Sequence, residues 1–385
     1  MSADVCVVVP TVRDHTFLAD YFTNAREYGF DLDRLFVVIV TEDFCDAEAM
    51  AGFLAEEGVA GRVVDGTARR AWFDARGLDE YADLIPMASH AQTSFGLLYL
   101  WADDFEYGVF LDDDTRPHPD FDFFGRHLEN LHHEGEVETV ASDERWVNVL
   151  HHNAGANGLY PRGYPYSAMG ETVRTGRARA DDVVVSQGLW TGVPDLDAAR
   201  ILADGDLDGQ GNTRLSRDDY DGTFATAPEN YLTVCSMNLA FRREVVPAFY
   251  QLPMDDNPWG VGRFDDIWSG VFAKRACDLL GKQVLSGYPL CVDEKAPRST
   301  FSDLSAEAPA LELNEHLWRL VDDVGDGAET YVEAYADMAD RLLAGSWDDY
   351  ENGEFLTYVG EHMHRWLACL RGLGSAVEAA VPADD

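Results

Sequence analysis

Lysine is almost missing from this chain. Of 29 Lys+Arg only Lys274, Lys282 and Lys295 are lysines, against 70 Asp+Glu, for a formal net charge of −41 over 385 residues. So little positive charge argues against non-specific binding to DNA, RNA or an anionic membrane surface. Acid excess along the whole chain, with arginine in place of lysine, reads as adaptation to high salt. There the Debye length falls to about 3 Å and self-repulsion becomes tolerable. The same excess makes any isolated Asp or Glu weak evidence for a site. Close cysteine pairs are also missing. Cys6, Cys45, Cys235, Cys277, Cys291 and Cys369 are scattered, mostly in apolar segments, which argues for reduced, buried thiols in a cytoplasmic protein rather than disulfides or a zinc site built on them. No apolar run approaches the ~20 residues of a membrane span. Met1-Ser-Ala-Asp leads into a strand with no signal peptide expected. Neither GxGxxG nor a Walker loop occurs, so a bound phosphate needs a metal instead of a Gly-rich cradle.

What is present is an alternation of buried strands and amphipathic helices. Val5–Pro10 and Leu35–Thr41 are β-branched runs of the kind that parallel strands bury on both faces. Helical spacing covers residues 14–28, with Asp14 as cap, and 46–57. Gly61–Asp65 reads as a third strand, and 88–101 as a helix leading into Tyr107–Leu111. This predicts an α/β fold with a Rossmann-like, mostly parallel sheet flanked by helices. The expected organisation is a catalytic domain over 1–300, C-terminal helices over 301–375 packed on it, and a disordered tail at 376–385. The stretch 200–230, with Asp204, Asp206 and Asp208, reads as a polar surface excursion. No Glu stands at the twelfth position of a calcium loop.

Four constellations carry chemistry. Asp112-Asp113-Asp114 closes the Tyr107–Leu111 run. Ligands of open α/β sheets bind at that strand end, and adjacent carboxylates repel unless a cation joins them, commonly one completed by substrate phosphates. The plain alternative is a solvated acidic turn. Gly260-Val-Gly-Arg-Phe-Asp-Asp-Ile-Trp268 sets Asp265 and Asp266 at a helix start, where the dipole alone stabilises acids but where they can also face a sugar. Arg162-Gly-Tyr-Pro-Tyr166 places a guanidinium among rings, as a diphosphate clamp or a stacked ion-pair partner. Val185-Ser-Gln-Gly-Leu-Trp190 precedes Val193-Pro-Asp-Leu-Asp-Ala198, and Trp190 alone reads as core.

Taken in order, Val8–Arg13, Leu111–Asp114, Arg162–Ser167, Val185–Trp190 with Val193–Ala198, Met237–Arg242 and Gly262–Trp268 resemble the reversibly glycosylated polypeptide family, which includes the UDP-arabinopyranose mutases. The likeness spans roughly residues 5–300. It implies a GT-A-type glycosyltransferase fold and a UDP-sugar ligand, with Pro10, Thr11, Arg13, Asp43, Asp112, Asp113, Tyr164, Trp190, Asn238 and Arg263 around the nucleotide sugar. It implies Mn2+ or Mg2+ on Asp112, Asp113 and Asp114, with Asp293 standing where the family tends to have His. It also implies catalytic roles for Asp265 and Asp266, and for Arg162 as the residue that is reversibly glycosylated. Thr41-Glu-Asp43 departs from the family's Asp-Gly-Asp turn.

The expected activity is a metal-dependent UDP-sugar mutase that interconverts pyranose and furanose forms, in the cytoplasm, with a homo-oligomer left open. Two alternatives stand beside it. One is a transferase passing sugar to a separate acceptor in surface-glycan synthesis. The other is a non-catalytic nucleotide-sugar-binding protein.

Overall fold

The computed structural model describes residues 3–13, 15–156 and 158–380, with side chains up to residue 374. Asp14, expected as a helix cap, lies outside the described residues, as do residues 381–385 of the expected tail. The amino-terminal third alternates strand and helix: β1 (Val5–Pro10), α1 (Leu18–Tyr28), β2 (Leu35–Val40), α2 (Ala47–Glu57), β3 (Ala60–Val64), α3 (Gly66–Asp74), α4 (Gln92–Ala102) and β4 (Tyr107–Leu111). Each helix begins where local chemistry permits. Asp46 and Asp65 cap α2 and α3 through their side chains, each accepting a backbone N–H, and Gly29 and Gly58 close α1 and α2 in left-handed conformations. Helix α4 starts four residues later than its periodicity predicts, because residues 88–91 turn to build the cavity wall described below.

The chain continues through β5 (Thr115–Pro117), α5 (Phe123–Leu131), β6 (Glu136–Ser142), β7 (Trp146–Val147), β8 (Val173–Arg179), β9 (Val183–Gly192), α6 (Ala198–Ala203), β10 (Phe224–Thr226), β11 (Tyr231–Leu232), β12 (Asn238–Arg242), α7 (Asp265–Leu279) and β13 (Gln283–Asp293). It ends in three helices, α8 (Thr300–Asp322), α9 (Tyr331–Ala344) and α10 (Glu354–Ala380). The main sheet has 11 strands in the order β3-β2-β1-β4-β12-β9-β13-β10-β6-β8, with β5 on β13. It is parallel from β3 to β4 and mixed beyond, since β12 runs antiparallel to both β4 and β9.

Helices cover both faces of the parallel half, so β1, β2 and β4 are buried along nearly their whole length. The close seat of α4 needs Gly96, where a Cβ would run into Val8. The C-terminal helices pack into the same core through Leu313, Leu317, Tyr335, Met338 and Trp366. Strand β8 forms the outer edge and exposes Arg174, Arg177 and Arg179.

The stretch 200–230 is not a surface excursion throughout. Ile201, Leu215, Tyr220 and Phe224 are buried, and β10 enters the sheet. Its acidic turn is local: Asp204 and Asp206 accept backbone N–H groups of residues 210–212. All six cysteines are free, and Cys45 is the one that is not buried.

Candidate active site

Strands β1 and β4 are parallel neighbours, so their carboxyl ends meet on one edge of the sheet. A cavity of about 430 Å³ opens there. One wall is the acid triplet that follows β4. Thr11 donates to Asp113 Oδ2 at 2.6 Å, Arg13 Nε donates to the same oxygen at 3.1 Å, and Arg13 reaches Asp114 at 3.5 Å. Strand β13 brings the fourth acid. Asp293 is in register with Thr115 and Gly192, and Glu294 N donates to Asp114 O at 2.9 Å, which fixes Asp293 beside the triplet.

A second wall is built on Arg162. Gly163 follows it at φ +86, and a Cβ there would meet Ile267 of α7. This approach, open to glycine, brings Arg162 onto the helix start. The guanidinium donates to Asp266 from both terminal nitrogens at 3.1 and 3.0 Å, to both oxygens of Asp195 from Nε at 3.2 and 3.3 Å, and to the carbonyl of Arg263. Arg263 itself is held at φ +62, with its side chain on Glu307 at 2.8 Å and Asp303 at 3.5 Å of α8. The first C-terminal helix thus sets the backbone that Arg162 grips.

Electrostatics divide the two walls. Burial lowers the pKa of Arg162, but Asp195 and Asp266 outweigh it and keep the guanidinium charged. Burial pushes Asp195 up, and Arg162 with Lys295 overcomes this to hold it at about 2. At Asp265 the charges of His90 and Arg162 do not offset burial. Burial and then the neighbouring Asp266 raise it to about 6. On the acid wall, burial and then Asp114 raise Asp112 well above the carboxylate range, and burial with Asp114 raises Asp293 to about 7.

Those raised acids are the test of whether a metal fits. Hard oxygen donors that repel one another in a buried corner are relieved by a divalent cation. Asp112 and Asp293 meet that description and Asp114 is the charged neighbour of both, whereas Asp113 is committed to Thr11 and Arg13. No three of them bring ligand atoms within 4.8 Å of one another; among the described residues only Glu138, His151 and His152 do. The donor set therefore suits an ion held by one or two carboxylates and completed by phosphate oxygens.

Of the residues expected around the ligand, Pro10, Thr11, Arg13, Asp112, Asp113, Asp114, Arg162, Arg263, Asp265, Asp266 and Asp293 line the cavity. Four do not. Tyr164 is buried with its hydroxyl on Trp146 O at 3.0 Å. Trp190 is 1% exposed and packs in the core. Asn238 bridges three strands, donating to Leu189 O at 2.8 Å and Pro289 O at 3.0 Å, and meets His127 through its oxygen at 2.8 Å. All three are buried outside the cavity lining, and Asn238 ties strands of the sheet together. Asp43 turns outward to accept from Thr67 N at 2.6 Å and Arg70 at 3.0 Å, and its neighbour Glu42 takes the wall position. One oxygen of Glu42 accepts from Arg69 at 3.0 Å, from Ala88 N at 2.7 Å and from Gln92.

Sequence reasoning missed Asp195, Lys295, Asp255 and Glu42 as wall residues. Asp195 alone had a signal, standing in the Val193–Ala198 segment.

A sheet with an acid-lined cavity at the carboxyl ends of β1 and β4, lined also by a carboxylate-gripped arginine, defines an open α/β protein with its cavity at the edge where such sheets bind ligands. The chain belongs to the reversibly glycosylated polypeptide family: the model described as "Reversibly glycosylated polypeptide" matches residues 78–373. That span starts later than the expected 5–300 and takes in the C-terminal helices. The chain is 39% identical over 194 residues to UDP-arabinopyranose mutase 1 of Arabidopsis thaliana, covering 50% of this chain and 47% of the relative. It is 32% identical over 222 residues to probable UDP-arabinopyranose mutase 4 of the same plant, covering 56% and 54%. The chain thus spans about half the length of these curated relatives. A solved mannosyltransferase from Pyrobaculum calidifontis, in complex with GDP-Man and Mn2+, aligns at TM-score 0.39 and 14% identity over 100% of this chain and 89% of that one.

Proposed function

We propose that the chain is a metal-dependent UDP-sugar mutase that carries its sugar transiently on Arg162. The observation that supports this most is the pairing of Arg162 with Asp266 at 3.0–3.1 Å in the cavity that Asp112–Asp114 also line. One or two of Asp112, Asp114 and Asp293 would hold Mn2+ or Mg2+, which when bound would supply positive charge to a diphosphate leaving group. Arg13 sits where it can steady the same phosphates.

In the transfer, the bond from the anomeric carbon to the β-phosphate oxygen breaks, and its electron pair leaves with UDP. A carbon–nitrogen bond forms to Arg162, and the guanidinium proton passes to Asp266. The cost is deprotonation of a guanidinium that its two carboxylates keep charged, so slow turnover is expected. Ring opening and re-closure through another hydroxyl then moves one proton off and one proton on. Asp265, raised to about 6, is matched to that exchange near neutral pH. Reversal returns the sugar to UDP.

The test is incubation of the purified chain with UDP-arabinopyranose and other UDP-sugars, with Mn2+ and no acceptor, in high salt. Interconversion of pyranose and furanose forms, with one sugar residue on the Arg162 peptide by mass spectrometry, is the expected result. Arg162→Lys should abolish both. Turnover only with an added acceptor would move the chain to the transferase reading.

A further inference from the structure

We propose that Glu138, His151 and His152 form a Zn2+ site, separate from the cavity acids. Their ligand atoms lie within 4.8 Å of one another, and none of the three lines the cavity. The site is built from β6 and the single turn that follows β7. Glu138 projects from β6 beside Phe224, its register partner on β10. His152 Nδ1 donates to the carbonyl of Asp221 at 2.9 Å, and Asp221 N donates back to His152 O at 3.0 Å. A carbonyl only accepts, so Nδ1 carries the proton and Nε2 presents a lone pair. A backbone carbonyl on the far nitrogen is also how metal-binding histidines are usually oriented. Phe224 stacks on the ring at 5.0 Å and 14° and fixes its plane.

Nε2 then faces an anomaly. The side chain of His152 is 10% exposed, Nε2 is buried without a hydrogen-bond partner, and Glu138 Oε1 stands 3.5 Å away. Two acceptors facing each other require a positive charge between them. A proton would use these two groups alone, whereas His151 brings a third donor to the same point. Metal bonds of 2.0–2.1 Å in a tetrahedron separate ligand atoms by about 3.4 Å, and His152 Nε2 and Glu138 Oε1 stand at 3.5 Å. Two imidazoles and a carboxylate select Zn2+ over Mg2+ or Ca2+, and three protein ligands leave one position for water. The ion would tie β6 to residues 148–156, the loop that leads to Arg162.

The test uses the full chain, stripped with chelator and titrated with Zn2+ in excess Mg2+ at high salt. Wild type should take up one equivalent, with a rise in Tm. His151→Ala, at an exposed position, and the isosteric Glu138→Gln should each weaken uptake tenfold to a hundredfold and remove the rise in Tm. Asp114→Asn should leave both unchanged. Wild-type binding by both variants, loss of uptake in Asp114→Asn alone, or no uptake in the presence of Mg2+ would each overturn the proposal.

Discussion

Asp195 and Asp265 both feel the charge of Arg162, yet their protonation runs in opposite directions. Asp195, held at about 2, contributes stability that is present above its ordinary value near 4 and is lost as pH falls toward 2. Asp265, raised to about 6, binds its proton more tightly folded than unfolded. Its contribution is therefore lost as pH rises from about 4 to 6, and the cost stays above that. Two units correspond to about 3 kcal/mol at most. The isosteric variants should accordingly differ in sign at pH 7.5. Asp265→Asn should raise Tm by a few degrees over wild type and show no gain at pH 4. Asp195→Asn should lower Tm, because the buried guanidinium keeps only one of its two carboxylates. Thermal unfolding across that pH range checks both, and a Tm gain from Asp195→Asn would contradict the charge assignment at Arg162.

At the scale of elements, Gly163 and α7 decide whether Arg162 meets Asp266. The residue sits at φ +86, with Ile267 filling the space where a Cβ would go. Gly163→Ala should cost roughly 1–3 kcal/mol, from the left-handed backbone and the overpacking together. It should also reduce sugar transfer more than binding of UDP, since the acid wall is untouched. Urea unfolding and UDP titration separate the two effects.

The same scale explains what was legible in the sequence. Strands β1, β2 and β4 announce themselves as apolar runs because both faces are buried. Strand β13 carries Ser286-Gly-Tyr-Pro289 in its middle and β8 reads Val-Arg-Thr-Gly-Arg-Ala-Arg, so neither has a periodicity that marks it. The triplet, Arg162 and Asp265 could be read because they stand beside turns and helix starts. Glu42 and Asp255 could not be separated from the acidic background, since what distinguishes them is a wall position set by residues far away in the chain. Tyr164, Trp190 and Asn238 were drawn toward the ligand by their neighbours in sequence, although packing places them outside the cavity lining.

At the scale of the whole molecule, a formal charge of −41 sets the solution behaviour. Repulsion over such a surface is strong at 0.1 M salt, where the Debye length is about 10 Å, and is largely screened above 1 M. Tm should therefore climb as KCl rises from 0.1 M to 2 M, with most of the gain before 1 M, and a flat or falling curve in calorimetry would contradict the reading of this composition. The paired charges of the cavity should respond less than the surface, because buried pairs are screened less.

Strand β8 bears on assembly. A sheet edge with free N–H and C=O groups is a template on which a second copy can extend the sheet. Here Arg174, Arg177 and Arg179 occupy alternate or near-alternate positions along that edge, each paired with an acid of its own copy: Asp143, Glu136 and Asp181. Two such edges brought together would have to strip water from six guanidinium groups and give up those pairings, a cost that concentrated salt does not remove. Growth of the sheet from chain to chain is thereby disfavoured at this end.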